Sequence, residues 1–329
     1  MSKNLSMREV ALWLFVIMIV SFSIAGSIFF RTGGYNFLNN ANFDHQIDQT
    51  QSFSVNGITE IQVNGDSPTI NVLPIDGNEV IVHFYGYSNT SSENRAPKLS
   101  AEVKNNNLVV IAKQPPQTIG INLSIERSNL QIDVSVPKTY GSNITVKTSS
   151  GNATIEGFSL NTLTADASSG DLSVKSIQAK NCQLRTSSGN TFGEAINTDQ
   201  FRSEASSGKI ELRNLISKNS VLETSSGSIS AHGLTGNLKA DSSSGGIIVD
   251  YLKFENNIDV TASSGDVELH LPKDADFLLY ANASSGTINN SFPIKTNSNN
   301  KRNRLEGTVG NGVNRINVST SSGDITIRN

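Results

Sequence analysis

From about residue 141 to the C-terminus, apolar and polar positions alternate in short bursts that return at a regular spacing. Two places after a recurrent glycine stand Ala153, Leu172, Thr191, Ile210, Ile229, Ile247, Val267, Ile288 and Ile325. Four places after it stand Ile155, Val174, Gly193, Leu212, Ala231, Val249, Leu269, Asn290 and Ile327, with mainly polar residues between. Alternation with a period of two marks a half-buried strand. The third residue before the glycine is always small, from Thr148 and Ala167 to Ala283 and Thr320. The seventh before it is mostly apolar, as in Ile144, Leu163, Phe201, Ile258 and Ile316. Each repeat therefore predicts strand, corner, strand and turn.

The glycine closes the tripeptide Ser-Ser-Gly, at Gly151, Gly170, Gly189, Gly208, Gly227, Gly245, Gly265, Gly286 and Gly323. The first four steps are nineteen residues each; the next are eighteen, twenty and twenty-one, and the last is thirty-seven, close to twice the period. A fixed period in this range means stacked repeats. Glycine at such a corner is expected for its access to positive φ, and the serines for hydrogen bonds to nearby backbone. A serine nucleophile needs a base and an oxyanion hole beside it, whereas repeated near-identical copies argue for architecture.

Two arrangements fit such repeats, an antiparallel meander or a parallel solenoid, and charge separates them. Only parallel in-register stacking sets equivalent residues side by side, about 4.8 Å apart. Five places after each glycine the chain reads Glu156, Lys175, Glu194, Arg213, His232, Asp250 and His270, alternating in sign if histidine counts as a cation. Four places before it the column begins Lys147, Asp166, Arg185, Glu204, again alternating. The expected fold is all-β: a single-stack parallel β-solenoid whose inter-rung ion-pair ladders set register more than they add stability.

The second ladder breaks where Glu204, Glu223 and Asp241 fall on successive rungs. Clustered carboxylates suit a hard cation such as calcium, and the alternative is an exposed acidic stripe splayed into water. His232, Asp250 and His270 raise the same question for zinc, but two histidines two rungs apart are better placed as part of a salt ladder. The lone cysteine, Cys182, lies in an inward column and reads as a small core residue. No catalytic, cofactor-binding or metal site is assigned from the sequence.

Residues 52–140 carry strands such as Ile58–Val63, Val80–Tyr85 and Leu108–Ile111 between turn signals, and read as an irregular β cap covering one end of the solenoid. Regular repeats then fill 141–329. Between Gly286 and Gly323 a corner is missing: Asn297 to Arg304 reads as a protruding basic loop, and Leu305 to Val309 as a degenerate rung. The terminal Arg328 is read as a charge that discourages end-to-end stacking.

Ahead of all this, residues 10–30 are uncharged and long enough to cross a bilayer as a helix. Lys3 and Arg8 before it, against Arg31 after it, favour a cytoplasmic N-terminus (1–9) and an extracytoplasmic remainder joined by a polar linker, 31–51. An uncleaved anchor is preferred to a signal peptide because the apolar run continues through Phe29 and Phe30. The formal net charge of −3 offers no basic surface to nucleic acid.

The lead-in Leu130–Pro137, the units Thr148–Asn152 and Ala262–Asp266 and the ending Ser319–Ile327 resemble a family of bacterial candidate adhesins of unassigned function. With a membrane helix ahead of it, the chain is similar to LiaG-like proteins associated in Gram-positive bacteria with cell-envelope stress systems. The resemblance implies a non-catalytic, membrane-anchored extracytoplasmic solenoid meeting an envelope polymer or a membrane sensor protein; it brings no catalytic residue or cofactor. The competing reading is a carbohydrate-active enzyme using Glu204, Glu223 and Asp241, which lack an aromatic platform nearby.

Overall fold

Long strands that bend twice generate the coil. The computed structural model describes residues 45–88, 96–113, 128–296 and 301–329. Its strands begin with β1 (His45–Ser54), β2 (Glu60–Gly65), β3 (Thr69–Ile75), β4 (Glu79–Ser88), β5 (Lys98–Lys104), β6 (Asn107–Lys113), β7 (Ser128–Pro137) and β8 (Asn143–Thr148). The regular body comprises β9 (Ala153–Ala167), β10 (Leu172–Thr186), β11 (Thr191–Ala205), β12 (Ile210–Thr224) and β13 (Ile229–Ser242). The C-terminal part holds β14 (Ile247–Tyr251), β15 (Ile258–Ser264), β16 (Val267–His270), β17 (Phe277–Ser285), β18 (Ile288–Asn290), β19 (Lys295–Thr296), β20 (Arg304–Val309), β21 (Asn314–Ser322) and β22 (Ile325–Arg328).

β9 to β12 pair in parallel with Leu172 opposite Ala153 and Thr191, and Thr191 opposite Ile210, so the nineteen-residue step is the rung register. Within β9 the inward phase runs Ala153 and Ile155, then Phe158 and Leu160, then Leu163, Ala165 and Ala167. Two phase changes give the coil three short sides. At the first of these bends Gly157, Ser176, Ala195, Asn214 and Gly233 all have positive φ. Three of the five are not glycine, which hides this bend from a search for turn residues.

The glycines of the Ser-Ser-Gly corner have a different cause from the expected one. Of the nine corner glycines only the last, Gly323, has positive φ. A Cβ built on Gly208 lands on the carbonyl of Gly189, 2.6 Å from its carbon, and Gly170 and Gly227 meet the preceding corner in the same way. Glycine is required because successive backbones approach too closely for a side chain. The small residue three places earlier then completes the turn. The hydroxyls of Thr186, Thr224 and Ser242 accept the amides of Gly189, Gly227 and Gly245 at 2.9, 3.0 and 2.9 Å. One place after the glycine, Asn152, Asp171 and Asn190 each accept the backbone amide of the equivalent residue one rung on.

At both ends chain order departs from stacking order. β2 pairs with β6 on one side and β8 on the other, and β3 lies between β7 and β9. The stretch read as an irregular cap thus contains two rungs, closed by β5, β4 and β1 in antiparallel pairings. Residues 45–51, read as linker, belong to β1. At the other end β21 pairs with β15 and β17, and β22 with β16 and β18. The last repeat is therefore an inner rung, sandwiched between the two that precede it in sequence. β20, read as a degenerate rung, runs antiparallel to β17 as part of the closing cap. Tyr251, Phe254, Phe277 and Phe292 pack edge to face at this end.

The anchor segment 10–30 lies outside the described residues, as do the N-terminal tail and most of the linker. No helix among the described residues is long and apolar enough to cross a membrane.

Candidate functional site

In each rung the residue four places before the corner glycine and the first serine of the corner both project outward, with the small residue between them turned into the core. Stacking turns these positions into a groove along the solenoid axis, with a volume of about 950 Å³. It runs from Gly65 and Asp66 past Thr148, Thr186 and Thr224 to Ser263. One wall is the charged column that starts at Lys147 and ends at Asp241; the other is the row Ser149, Ser168, Ser187, Ser206, Ser225 and Ser243.

The three acids expected to stand as an open stripe are held by cations instead. Glu204 and Glu223 are register partners, as are Glu223 and Asp241. Arg185 reaches Glu204 from the previous rung at 3.0 Å. Arg202 contacts Glu204 on its own strand and Glu223 on the next at 2.7 Å, and Lys239 meets Asp241 at 3.2 Å. The reading by column overlooked Arg202, yet the strand period alone places it on the outward face beside Glu204. The same spacing of two pairs Lys209 and Arg213 with Glu211, and Arg304 with Glu306.

Desolvation pushes the Glu204 carboxyl upward, but the guanidiniums of Arg202 and Arg185 outweigh it and hold the carboxyl below its ordinary value of 4.5. Hydrogen bonds from Lys209 and Arg213 lower Glu211 in the same sense. A carboxylate depressed in the folded state contributes stability above its unfolded value and loses it as pH falls through the folded one. The midpoint of urea unfolding should therefore drop between about pH 6 and about pH 3.5. In Arg202→Met that drop should be smaller, because Glu204 loses its on-strand partner. An equal drop in both proteins, followed by circular dichroism, would remove Arg202 from the explanation.

The first charge column has the expected register, with Glu156 opposite Lys175 and Glu194 opposite Arg213. Its cations take another partner: Lys175 and Arg213 lie 5.5 and 5.6 Å from the ring centre of Phe192, on the strand between them. Neither expected pair is among the ion pairs of the described residues. Further along, the column does form a ladder. His232 and His270 both turn Nδ1 to Asp250, the latter at 2.5 Å, and His270 Nε2 lies 2.9 Å from Glu268. Arg328 joins Glu268 at 2.5 Å, so the last charged residue ties the inserted rung to its neighbour rather than guarding a free end. Among the described residues no group of three or more His, Cys, Asp or Glu side chains is arranged to hold a metal. Burial pushes the Cys182 thiol up to about 12, as suits an inert core position.

Residues 297–300 of the segment read as a basic loop lie outside the described residues. Its Arg304 pairs with Glu306.

No protein with a curated description matches the chain. Several solved structures are similar to it at low identity, and three of them follow. A candidate cell adhesion protein from Clostridium sporogenes is 13% identical over 86% of this chain and 99% of its own, with a TM-score of 0.29. A candidate adhesin from Bacteroides fragilis is 13% identical, covering 86% and 97%, with a TM-score of 0.45. A protein from Parabacteroides distasonis described as a candidate lipid-binding protein is 13% identical over 87% and 97%, with a TM-score of 0.41. A family profile described as Toastrack DUF4097 matches residues 58–328, from the first inner rung through the last, and the chain belongs to that family.

Proposed function

We propose that this chain is a non-catalytic, membrane-anchored adhesin-like solenoid on the outer side of the cell membrane. It is held there by residues 10–30 and presents its groove face to an envelope polymer or a membrane sensor protein, with no cofactor and no nucleic acid. The observation that carries this reading is the groove itself, which sets a repeated row of serines beside a charged column along the stack of rungs. The ion pairs of Glu204, Glu223 and Asp241 favour binding over hydrolysis, since a glycosidase needs a carboxylic acid and a free carboxylate on either side of the scissile bond.

The full-length protein should pellet with membranes, resist a high-salt wash and be shaved by protease added to intact cells. Removing residues 10–30 should move it to the soluble fraction. Full-length protein that stays soluble, or that external protease cannot reach, overturns the placement. Hydrolysis of wall polysaccharide that depends on Glu204 or Glu223 overturns the non-catalytic reading.

A further inference from the structure

Among the described residues, four strands are paired on one side only: β1 and β5 at one end of the solenoid, β18 and β19 at the other. A bare edge offers its amides and carbonyls to any further strand, so its length and charge decide whether it is guarded. β18 has three residues and β19 two, and β5 carries Lys98, Glu102 and Lys104 among its seven. β1 has no such guard. It runs for ten residues without proline or a break in register. Beyond the terminal His45 its only charge is Asp48, which His83 meets at 2.9 Å. The core beside it is incompletely covered, since Phe53, Val55, Leu99 and Ala101 are only partly buried.

The order of residues along this edge selects the occupant. Ile47 is buried, and Gln49, Gln51 and Phe53 share its face, whereas the even-numbered residues from Gln46 to Ser54 are exposed on the other. The inward face therefore reads apolar, Gln, Gln, apolar, the same in both directions about Thr50. Residues directly opposite in an antiparallel pair share a face. A second β1 turned about Thr50 sets Ile47 opposite Phe53 twice, Gln49 opposite Gln51 and Asp48 opposite Ser52, and no like charges meet. The backbone is in the same phase. The Val55 amide, just past the strand, donates to the Asn78 carbonyl at 3.0 Å. In the alternating antiparallel ladder the odd-numbered residues of β1 then bond β4, and Thr50 and its even-numbered neighbours turn their amides and carbonyls outward. Sliding the second strand by two residues keeps those bonds but sets Phe53 against Gln49 or His45.

We propose that β1 is a homodimer interface, on which a second copy of this chain pairs its own β1 antiparallel to the first with Thr50 on the two-fold axis. Two solenoids joined there form one longer rod, with both N-terminal segments at its middle and the short edges β18 and β19 at its tips. The inference goes beyond the placement proposed above and does not depend on it.

Sedimentation of the full-length protein in detergent micelles tests it. One strand pair is a small contact, so monomer and dimer should exchange in proportion between about 1 and about 100 μM. Thr50→Lys sets two ammonium groups face to face on the axis and should raise the dimer dissociation constant about tenfold. Its thermal midpoint should stay that of the wild type, because Thr50 is exposed and its amide faces away from β4. Mild oxidation then reads the register. Thr50→Cys should crosslink to itself, with opposed Cα atoms about 5.5 Å apart, within disulfide reach. Asp48→Cys and Ser52→Cys should each fail to crosslink alone and succeed when mixed. The native Cys182 is buried and serves as the uncrosslinked control. A monomer at every concentration, a dimer indifferent to Thr50→Lys, or Asp48→Cys crosslinking to itself as readily as Thr50→Cys overturns the assignment.

Discussion

Gly208→Ala should lower the unfolding free energy by about 3 kcal/mol or more, the upper part of the range for overpacked positions. The added methyl meets the carbonyl of Gly189, and that carbonyl belongs to a corner fixed by rung hydrogen bonds on both sides. Ser206 and Ser207 donate their amides to Thr186 and Ser187, so the corner cannot retreat without breaking inter-rung bonds. Gly193→Ala is the informative contrast. There the methyl lies 2.7 Å from Leu212 Cδ2, a side-chain tip that can rotate, and the loss should be smaller. A second contrast has the opposite sign. Ala195 sits at φ 53, a conformation that costs a residue with a Cβ about 1 kcal/mol, so Ala195→Gly should be neutral to about 1 kcal/mol stabilising. Equilibrium urea unfolding of the three variants separates room from conformational freedom. Gly208→Ala at wild-type stability would refute the close-approach account of the whole Ser-Ser-Gly column.

That contrast also marks how far the sequence could be read. The apolar columns through Ile210 and Leu212, the parallel stacking and the register that sets Glu156 opposite Lys175 all follow from the period of the backbone. Side-chain partners are less constrained, because a long cation has both rung neighbours and on-strand neighbours within reach. Arg202 on Glu204 and Lys175 over Phe192 are such choices. The groove was legible only as two separate columns, one read as ladder and the other as corner; its concavity arises from the bend that sets them facing each other. The order of the end rungs was not legible, for a physical reason. Every rung presents the same hydrogen-bonding edge and the same inward columns, so Ile316 and Ile325 fit between neighbours as well as at an end. The thirty-seven-residue step before Gly323 was the one irregularity that pointed to it.

Ending the chain after Val313 should unfold everything beyond β16, although it removes only the last sixteen residues, 314–329. In a solenoid numbered in stacking order, trimming the end shortens the rod and leaves the rest intact. Here the deleted rung is internal: β17 and β18 dock on β21 and β22, and β20 docks on β17. Ile316, Val318, Ile325 and Ile327 are buried on that rung, and at about 1.5–3 kcal/mol each their loss matches the whole stability of an ordinary domain. The turn that leads into the rung loses its purpose as well. Gly310 and Gly312 at positive φ form it, and the Asp276 carboxylate accepts the amides of Asn311 and Val313 at 2.8 Å each to hold it. Hydrogen exchange should show residues 277–309 unprotected while β9 to β12 keep their protection, and limited proteolysis should cut soon after His270. Deleting β1, whose exposed residues form the outermost strand of the opposite cap, should change little by comparison. The rival outcome is that β17 and β18 slide down one rung onto β15 and β16 and rebuild a regular stack. Of the edge-to-face contacts at this end, that of Phe277 with Phe254 opposes the slide, since a shift of about 4.8 Å displaces one ring against the other, whereas Phe292 moves together with Phe277. Native protection across Phe277–Ala283 in the truncated chain would mean that the inserted rung is dispensable and that these aromatic contacts do not fix the end of the fold.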